Sequence, residues 1–248
     1  MQHFINRKVT TASTRIENMP QEFHVESFLS PKQLNHQSVS LVIPRILRDR
    51  IHNAMYYRVN LNTASLRGDT MICLSKVLVR DLGALKDGAV NQVNMLGGVE
   101  FQCLLMKLVE IKPTLDQLTT MLQDDENFNN KYIVGLILTY LRVQYYYLPV
   151  EDPWARKCQS LFRQYYNDYR KLKSVQLDQD CWSKSQTINV DILHTDELVD
   201  WLLTKDDIWG IPLGKCQWTE IHEDDDDDDD DSESTSDDYD EQEENEED

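Results

Sequence analysis

The residues best suited to chemistry are His194, Asp196 and Glu197 in HTDELVDWLL, an imidazole beside two carboxylates. Such a trio serves acid–base or metal chemistry when its spacing is right. Here the spacing is not H-E-x-x-H. The start of a helix explains all three residues. Thr195 is a suitable N-cap, and the acids fall in the first turn, where the helix dipole favours negative charge. His52, in RDRIHNAMYY, has only Asp49 as an acidic neighbour within a turn and reads as a surface or half-buried histidine. The chain carries no G-x-x-x-x-G-K-[ST] phosphate loop, no G-x-G-x-x-G and no G-x-S-x-G elbow. No catalytic, cofactor or metal site is expected, and the chain is read as not an enzyme.

Two stretches interleave basic and aromatic side chains. One runs Arg45, Arg48, Arg50, Tyr56, Tyr57, Arg58; the other holds Arg163, Tyr165, Tyr166, Tyr169, Arg170, Lys171 and Lys173. Cations neutralise phosphates and aromatic faces stack bases, so Arg45, Arg48, Arg50 and Arg58 are candidates for RNA or protein contact. A core of tyrosines beneath a solvated basic face is the competing reading. Tyr165 and Tyr169 support it by falling on an apolar stripe; Tyr166 falls off that stripe.

Charge is distributed unevenly. The formal net charge is −19 and the pI about 4.6. Nineteen acidic residues and no Lys or Arg lie in Glu223–Asp248, so the rest of the chain balances 25 acidic against 25 basic. So acidic and apolar-poor a tail is expected to be disordered. It can mimic a polyanion, engage basic partners, or compete for the body's own basic face. Ser234 and Thr235 each have an Asp three residues on, the pattern of acidophilic phosphorylation, which would add negative charge. Five cysteines, widely spaced and without C-x-x-C, read as free thiols in a reducing compartment. The N-terminus lacks the apolar run of a secretory signal, so residues 1–21 read as a loose leader.

The elements that must position these groups are helical. Asn130–Leu148 is apolar nearly all round, with Ile133, Leu136, Ile137, Tyr140 and Leu141 at helical spacing, and reads as a buried central helix. Arg142 and Gln144 interrupt it, and it is too short to span a membrane. Around it the spacing predicts helices over Pro44–Tyr57 (Leu47, Ile51 and Met55 inward), Met71–Leu82, Glu100–Ile111 and, from a capping box at Thr114 and Gln117, the next segment. Further helices are predicted over Trp154–Leu172, with Tyr165 and Tyr169 inward, and from His194 to Leu203. Ser30–Gln37 reads as a short turn, Ser38–Pro44 as a weak strand, and Ile188–Leu193 as a short extended piece. Trp209–Trp218 reads as an aromatic loop docked on the domain. The expected class is all-α, a single multi-helix domain over 22–218 around that central helix, with an acidic tail at 219–248.

Several blocks resemble the pre-mRNA-splicing factor 38 family: SVSLVIPRILRDRIHNAMYYRVNL, LGGVEFQCLLMKLVEIKP, NKYIVGLILTYLR, YNDYRKLKS and HTDELVDWLL. WGIPLGKCQW is similar to the family's fungal branch. The resemblance implies an all-α, non-enzymatic protein of the nucleus that joins the spliceosome with the U4/U6.U5 tri-snRNP. It implies a need at activation, when U4–U6 pairing is unwound and the catalytic RNA core forms, and not at initial assembly. It further implies a hub for helical segments of other splicing factors, among them a microfibrillar-associated-protein-like factor and a zinc-finger factor. Any RNA contact is expected to be indirect, and the chain a monomer within a large complex. Metazoan members carry an Arg/Ser-rich C-terminus; the acidic tail here departs from that pattern.

On this reading the partner-binding surface is Tyr166, Asp168, Arg170 and Lys171 with Asp196 and Glu197. Asp168 and Lys171 would form an outward ridge for a partner helix, and Arg170 would grip a carboxylate bidentately. Alternatively, Asp168, Arg170 and Lys171 make internal pairs that join their helix to the one after His194. Two other functions stand beside the scaffold: a general RNA-binding module, and an acidic-tailed chaperone of basic nuclear proteins.

Overall fold

In a computed structural model, residues 42–83, 93–124, 128, 130–148, 151–183, 187–214 and 216 are described. The leader, the Ser30–Gln37 turn, most of Ser38–Pro44 and the acidic tail with Ser234 and Thr235 lie outside the described residues. The described elements are α1 (Arg45–Asn53), α2 (Met55–Asn60), α3 (Met71–Leu82), α4 (Val99–Ile111), α5 (Leu115–Gln123), α6 (Lys131–Tyr145) and α7 (Pro153–Tyr166). Strands β1 (Lys171–Val175) and β2 (Val190–His194), helix α8 (Thr195–Thr204), and the two-residue strands β3 (Asp207–Ile208) and β4 (Ile211–Pro212) follow. The fold is therefore mostly helical, and the strict all-α expectation is corrected by two small antiparallel sheets. Among the described residues no helix is long and apolar enough to cross a membrane.

Helix α6 is buried at every position from Tyr132 to Gln144. Asn130 caps its start, accepting from the Tyr132 amide at 2.9 Å. Helices α4, α7 and α8 pack on it, with α3 and β1 at its margins. Gly135 admits α8 and the segment before α4: a Cβ there would stand 3.1 Å from Leu96 and 3.2 Å from Leu198. Thr139 satisfies its hydroxyl within the helix, donating to the Gly135 carbonyl at 2.7 Å. The predicted capping box on α5 forms, with Thr114 and Gln117 accepting from each other's backbone amides.

Helix α7 ends at Tyr166, so Trp154–Leu172 is not one helix. Its C-cap is Asn167, and the Asp168 carboxylate then accepts from the Arg170 amide at 3.1 Å, a local turn that competes with helix. Beyond it Lys171-Leu172-Lys173-Ser174 alternates exposed and buried, the period of a strand. β1 pairs antiparallel with β2, from Lys171 opposite His194 to Val175 opposite Val190. On its other edge β1 takes Leu96, which donates to the Lys173 carbonyl (2.8 Å) and accepts from the Val175 amide (3.0 Å). Tyr169, expected inward, is consequently 67% exposed.

The predicted Pro44–Tyr57 helix is also broken. Ala54 is extended (ψ 137°), ending α1 and starting α2. The break turns Met55 outward, 74% exposed, and carries Tyr56 and Tyr57 into the core. Their hydroxyls explain the preference: Tyr56 donates to Asp81 at 2.5 Å and Tyr57 to Glu110 at 2.8 Å. Glu110 and Asp69 in turn hold buried Lys107, at 2.7 and 2.6 Å. Neither tyrosine is available to stack on a base.

The loop after α8 docks on the body, as its aromatic composition predicted. Trp209 packs edge-on against Phe101 with centroids 5.3 Å apart and donates from Nε1 to the Val175 carbonyl at 3.2 Å. Its ring lies over Gly97, where a Cβ would come within 2.3 Å. Arg142 holds the same loop from α6. Its guanidinium donates to the carbonyls of Leu202 (2.7 Å), Leu213 (2.8 Å) and Gly214 (2.6 Å). A buried charge is thus met by three oxygen dipoles rather than by a carboxylate.

Candidate partner-binding groove

Helix α8 begins with Glu197 accepting from the His194 amide at 2.6 Å, the reciprocal half of a capping box. His194 is thus the cap, correcting Thr195, which is the first helical residue and fully buried. The Thr195 hydroxyl donates instead to the Arg170 carbonyl at 3.2 Å. The same carbonyl receives the Thr195 amide (3.1 Å), and the Asp168 carbonyl receives the Asp196 amide (3.0 Å). These bonds fasten the β1 approach to the helix start and satisfy two otherwise orphaned donors.

That junction decides the roles of Asp168 and Arg170. Asp168 is turned in, and Arg170 grips it in a fork, with Nε at 2.9 Å and Nη2 at 2.6 Å from Oδ2. The pair is intramolecular and turns Asp168 away from an outward ridge, while the Arg170 side chain stays 36% exposed. Lys171 is exposed on β1, and its carbonyl accepts from the Lys131 ammonium. Of the six expected residues, the structure brings Tyr166, Asp196 and Glu197 to one open surface and gives Asp168 and Arg170 to the joint beneath it.

The surface is a groove of about 640 Å³ lined by Tyr166, Asp191, Ile192, Leu193, Asp196, Glu197, Asp200 and Trp201. A second cleft of about 660 Å³ shares Asp191 and Trp201 with it and continues past Asp178 and Asp180. Ile192 stands 68% exposed in the groove wall. One carboxylate oxygen of Asp196, Oδ1, is buried and has no hydrogen-bond partner among the described residues. Sequence reasoning missed Asp191, Ile192, Asp200 and Trp201. The signal for α8 was present: Asp196, Glu197, Asp200 and Trp201 share one side of the helix, opposite buried Leu198, Val199 and Leu202.

The basic candidates lie elsewhere. Arg45 pairs loosely with Asp49 (3.8 Å), Arg50 meets Asp180 (2.9 Å), and Arg58 donates to Asn53 (2.6 Å) and the His52 carbonyl (3.2 Å). Arg48 is half-buried. Among the described residues no group of three or more His, Cys, Asp or Glu side chains could hold a metal ion. Of the free cysteines, Cys103, Cys158 and Cys181 are buried, and burial pushes the Cys158 thiol up to about 12 and the Cys181 thiol to about 11.

A family model described as the PRP38 family matches residues 32–226. The chain belongs to the PRP38 family. It is 50% identical over 215 residues to Pre-mRNA-splicing factor 38 of Saccharomyces cerevisiae, covering 82% of this chain and 88% of that one. It is 26% identical over 178 residues to human Pre-mRNA-splicing factor 38A, covering 71% of this chain. The chain spans about half of that relative, 47% of its length. Among solved structures it is similar to the crystal structure of the Snu23-Prp38-MFAP1(217-258) complex of Chaetomium thermophilum. The TM-score is 0.51 at 23% identity, covering 76% of this chain and 82% of that one, a likeness of fold.

Proposed function

We propose that this chain is a non-enzymatic splicing factor of the nucleus, a scaffold of the U4/U6.U5 tri-snRNP needed when the spliceosome is activated. Its body, residues 22–218 organised around α6, binds other splicing proteins, and residues 219–248 make up the acidic tail. The 50% identity over 215 residues to a yeast protein named for pre-mRNA splicing, covering most of both chains, supports the process. The Chaetomium relative was solved together with Snu23 and MFAP1(217-258), which supports a helical MFAP1-like partner and a zinc-finger Snu23-like partner for this chain.

The observation that carries the mode of binding is the gathering of Asp191, Asp196, Glu197 and Asp200 in one groove beside exposed Ile192 and half-buried Trp201. A partner helix laid there would place an Arg or Lys on Asp196 and its apolar face on Ile192 and Trp201. Tyr166 and Glu197 would flank it, and Lys171 would lie outside the contact. The test has two arms. Tagged protein recovered from extract should carry U4, U5 and U6 RNAs together at salt that strips polyanion contacts. Asp196→Lys with Trp201→Ala should then lose an MFAP1-like partner peptide while melting like the parent. Recovery of histones or ribosomal proteins in place of the three RNAs overturns the splicing reading. Unchanged peptide binding by the double variant overturns the groove.

A further inference from the structure

Helix α7 carries no acidic residue, and its solvent side is a basic stripe: Arg156, Lys157, Ser160, Arg163, Gln164 and Asn167, all exposed. Neither Arg156 nor Lys157 forms an ion pair among the described residues. By contrast Arg45 and Arg50 on α1 already face Asp49 and Asp180. Acids stand at both ends of the stripe. Beyond its C-terminal end Asp168 follows Asn167, and Asp196 and Glu197 share the groove with Tyr166. Two more stand at its N-terminal tip. They are exposed Glu151 and the capping Asp152, which accepts from the Trp154 amide at 2.8 Å.

The C-terminal chain departs close to this helix. The Gly214 carbonyl is held by Arg142, and a Cβ on Gly214 would meet the Tyr146 ring at 2.4 Å. Cys216 lies near enough to Arg142 to act on its charge. The chain therefore leaves from the C-terminal end of α6, the end from which the polypeptide turns into α7. Seven residues, 217–223, separate Cys216 from the aspartate run Asp224–Asp231, eight steps along the chain that reach about 26–29 Å at full extension. The run itself extends to about the same length, whereas the stripe from Arg156 to Asn167 measures about 17 Å along the helix.

We propose that the acidic tail, residues 223–248, docks on the basic outer face of α7 in its own chain and acts as a tethered competitor there. The match is one of charge and reach. A tether of this length holds the acidic run at an effective concentration on the order of millimolar at the stripe, enough to exclude weak polyanions but not a tight partner. The tail then keeps nonspecific nucleic acid off the α7 face while leaving the carboxylate groove open.

Zero-length carbodiimide cross-linking of the full chain tests this, because it joins a lysine amine to a carboxylate in direct contact. At moderate salt and a concentration with no dimer band, Lys157 should be the lysine linked most strongly to peptides of 223–248. The linkage should disappear in molar salt, where exposed attractions are screened. Tail peptides linked mainly to Lys76, Lys112 or Lys131 would overturn the proposed face. Deletion of 223–248 should also raise affinity for heparin roughly threefold or more. Arg156→Glu with Arg163→Glu, checked for an unchanged melting curve, should abolish that gain. No gain on deletion, or a gain that survives these charge reversals, overturns the proposal.

Discussion

Replacing Arg142 with Met keeps the length and apolar stem of the side chain but removes every donor. Three carbonyls lose their partner: Leu202 at the end of α8, and Leu213 and Gly214 in the loop beyond. Hydrogen bonds to a charged group contribute about 1.5–3 kcal/mol each, and bonds made by one group do not add fully. Relief from burying the guanidinium offsets part of the loss, since burial already lowers the Arg142 pKa. The net cost should be about 3 kcal/mol, a large share of the roughly 5–15 kcal/mol that stabilises a domain. The damage should begin locally. Urea titration by far-UV circular dichroism should show an earlier midpoint, and amide exchange should speed up first over 206–214. Arg142→Lys should fall between, because one ammonium cannot reach all three oxygens. An unchanged midpoint, or faster exchange spread evenly through α6 and α4, would refute the assignment of Arg142 as the anchor of this loop.

Gly97→Ala should cost about 3–5 kcal/mol in a urea melt, because φ is +70° there and the new Cβ displaces Trp209 from its seat. Blue-shifted Trp209 fluorescence retained at full stability would contradict that account. Arg170→Glu should destabilise the fold by about 1 kcal/mol, given partial exposure, and so lower the melting temperature, because it sets a carboxylate against Asp168. Lys171→Glu alone should leave the melt unchanged, and equal losses in both variants would mean the pair is not the joint. For pH, the Cys181 thiol is raised from its ordinary value of 9.0 to about 11, first by burial. Its contribution to stability is present below pH about 9 and is lost as pH climbs towards about 11. Urea midpoints across that window should fall further for the parent than for Cys181→Ala, and parallel curves would count against a buried thiol.

The legible parts of the sequence were those where one physical signal acted alone. The all-round apolar run from Ile133 to Val143 gave a helix buried from Tyr132 to Gln144, and Thr114 with Gln117 gave a formed capping box. The errors lie where two signals competed. Tyr165 and Tyr169 share a helical stripe, but Asn167 and Asp168 end the helix between them and a period-two pattern takes over. Met55 kept register with Ile51 on paper, yet Ala54 breaks the helix so that two tyrosine hydroxyls reach Asp81 and Glu110. At the groove, Asp196 and Glu197 were identified as one surface, but the charge on Arg170 carried no label saying its carboxylate lay two residues away. Arg142 read as an interruption of an apolar helix. The carbonyls that explain it are 60 to 72 residues downstream and have no sequence signature.

Those long spans bear on how the protein is made. The Arg142 guanidinium meets its last carbonyl partner 72 residues later, and the Trp182 indole bonds Gln102 across 80 residues. At about 5–20 residues per second, the ribosome takes roughly 4–14 s to synthesise the segment that completes the surroundings of α6. Throughout that interval a helix that ends up buried from Tyr132 to Gln144 is in the open, with an uncompensated cation on it. A nascent chain halted before Leu213 should therefore be a chaperone client rather than a smaller folded domain.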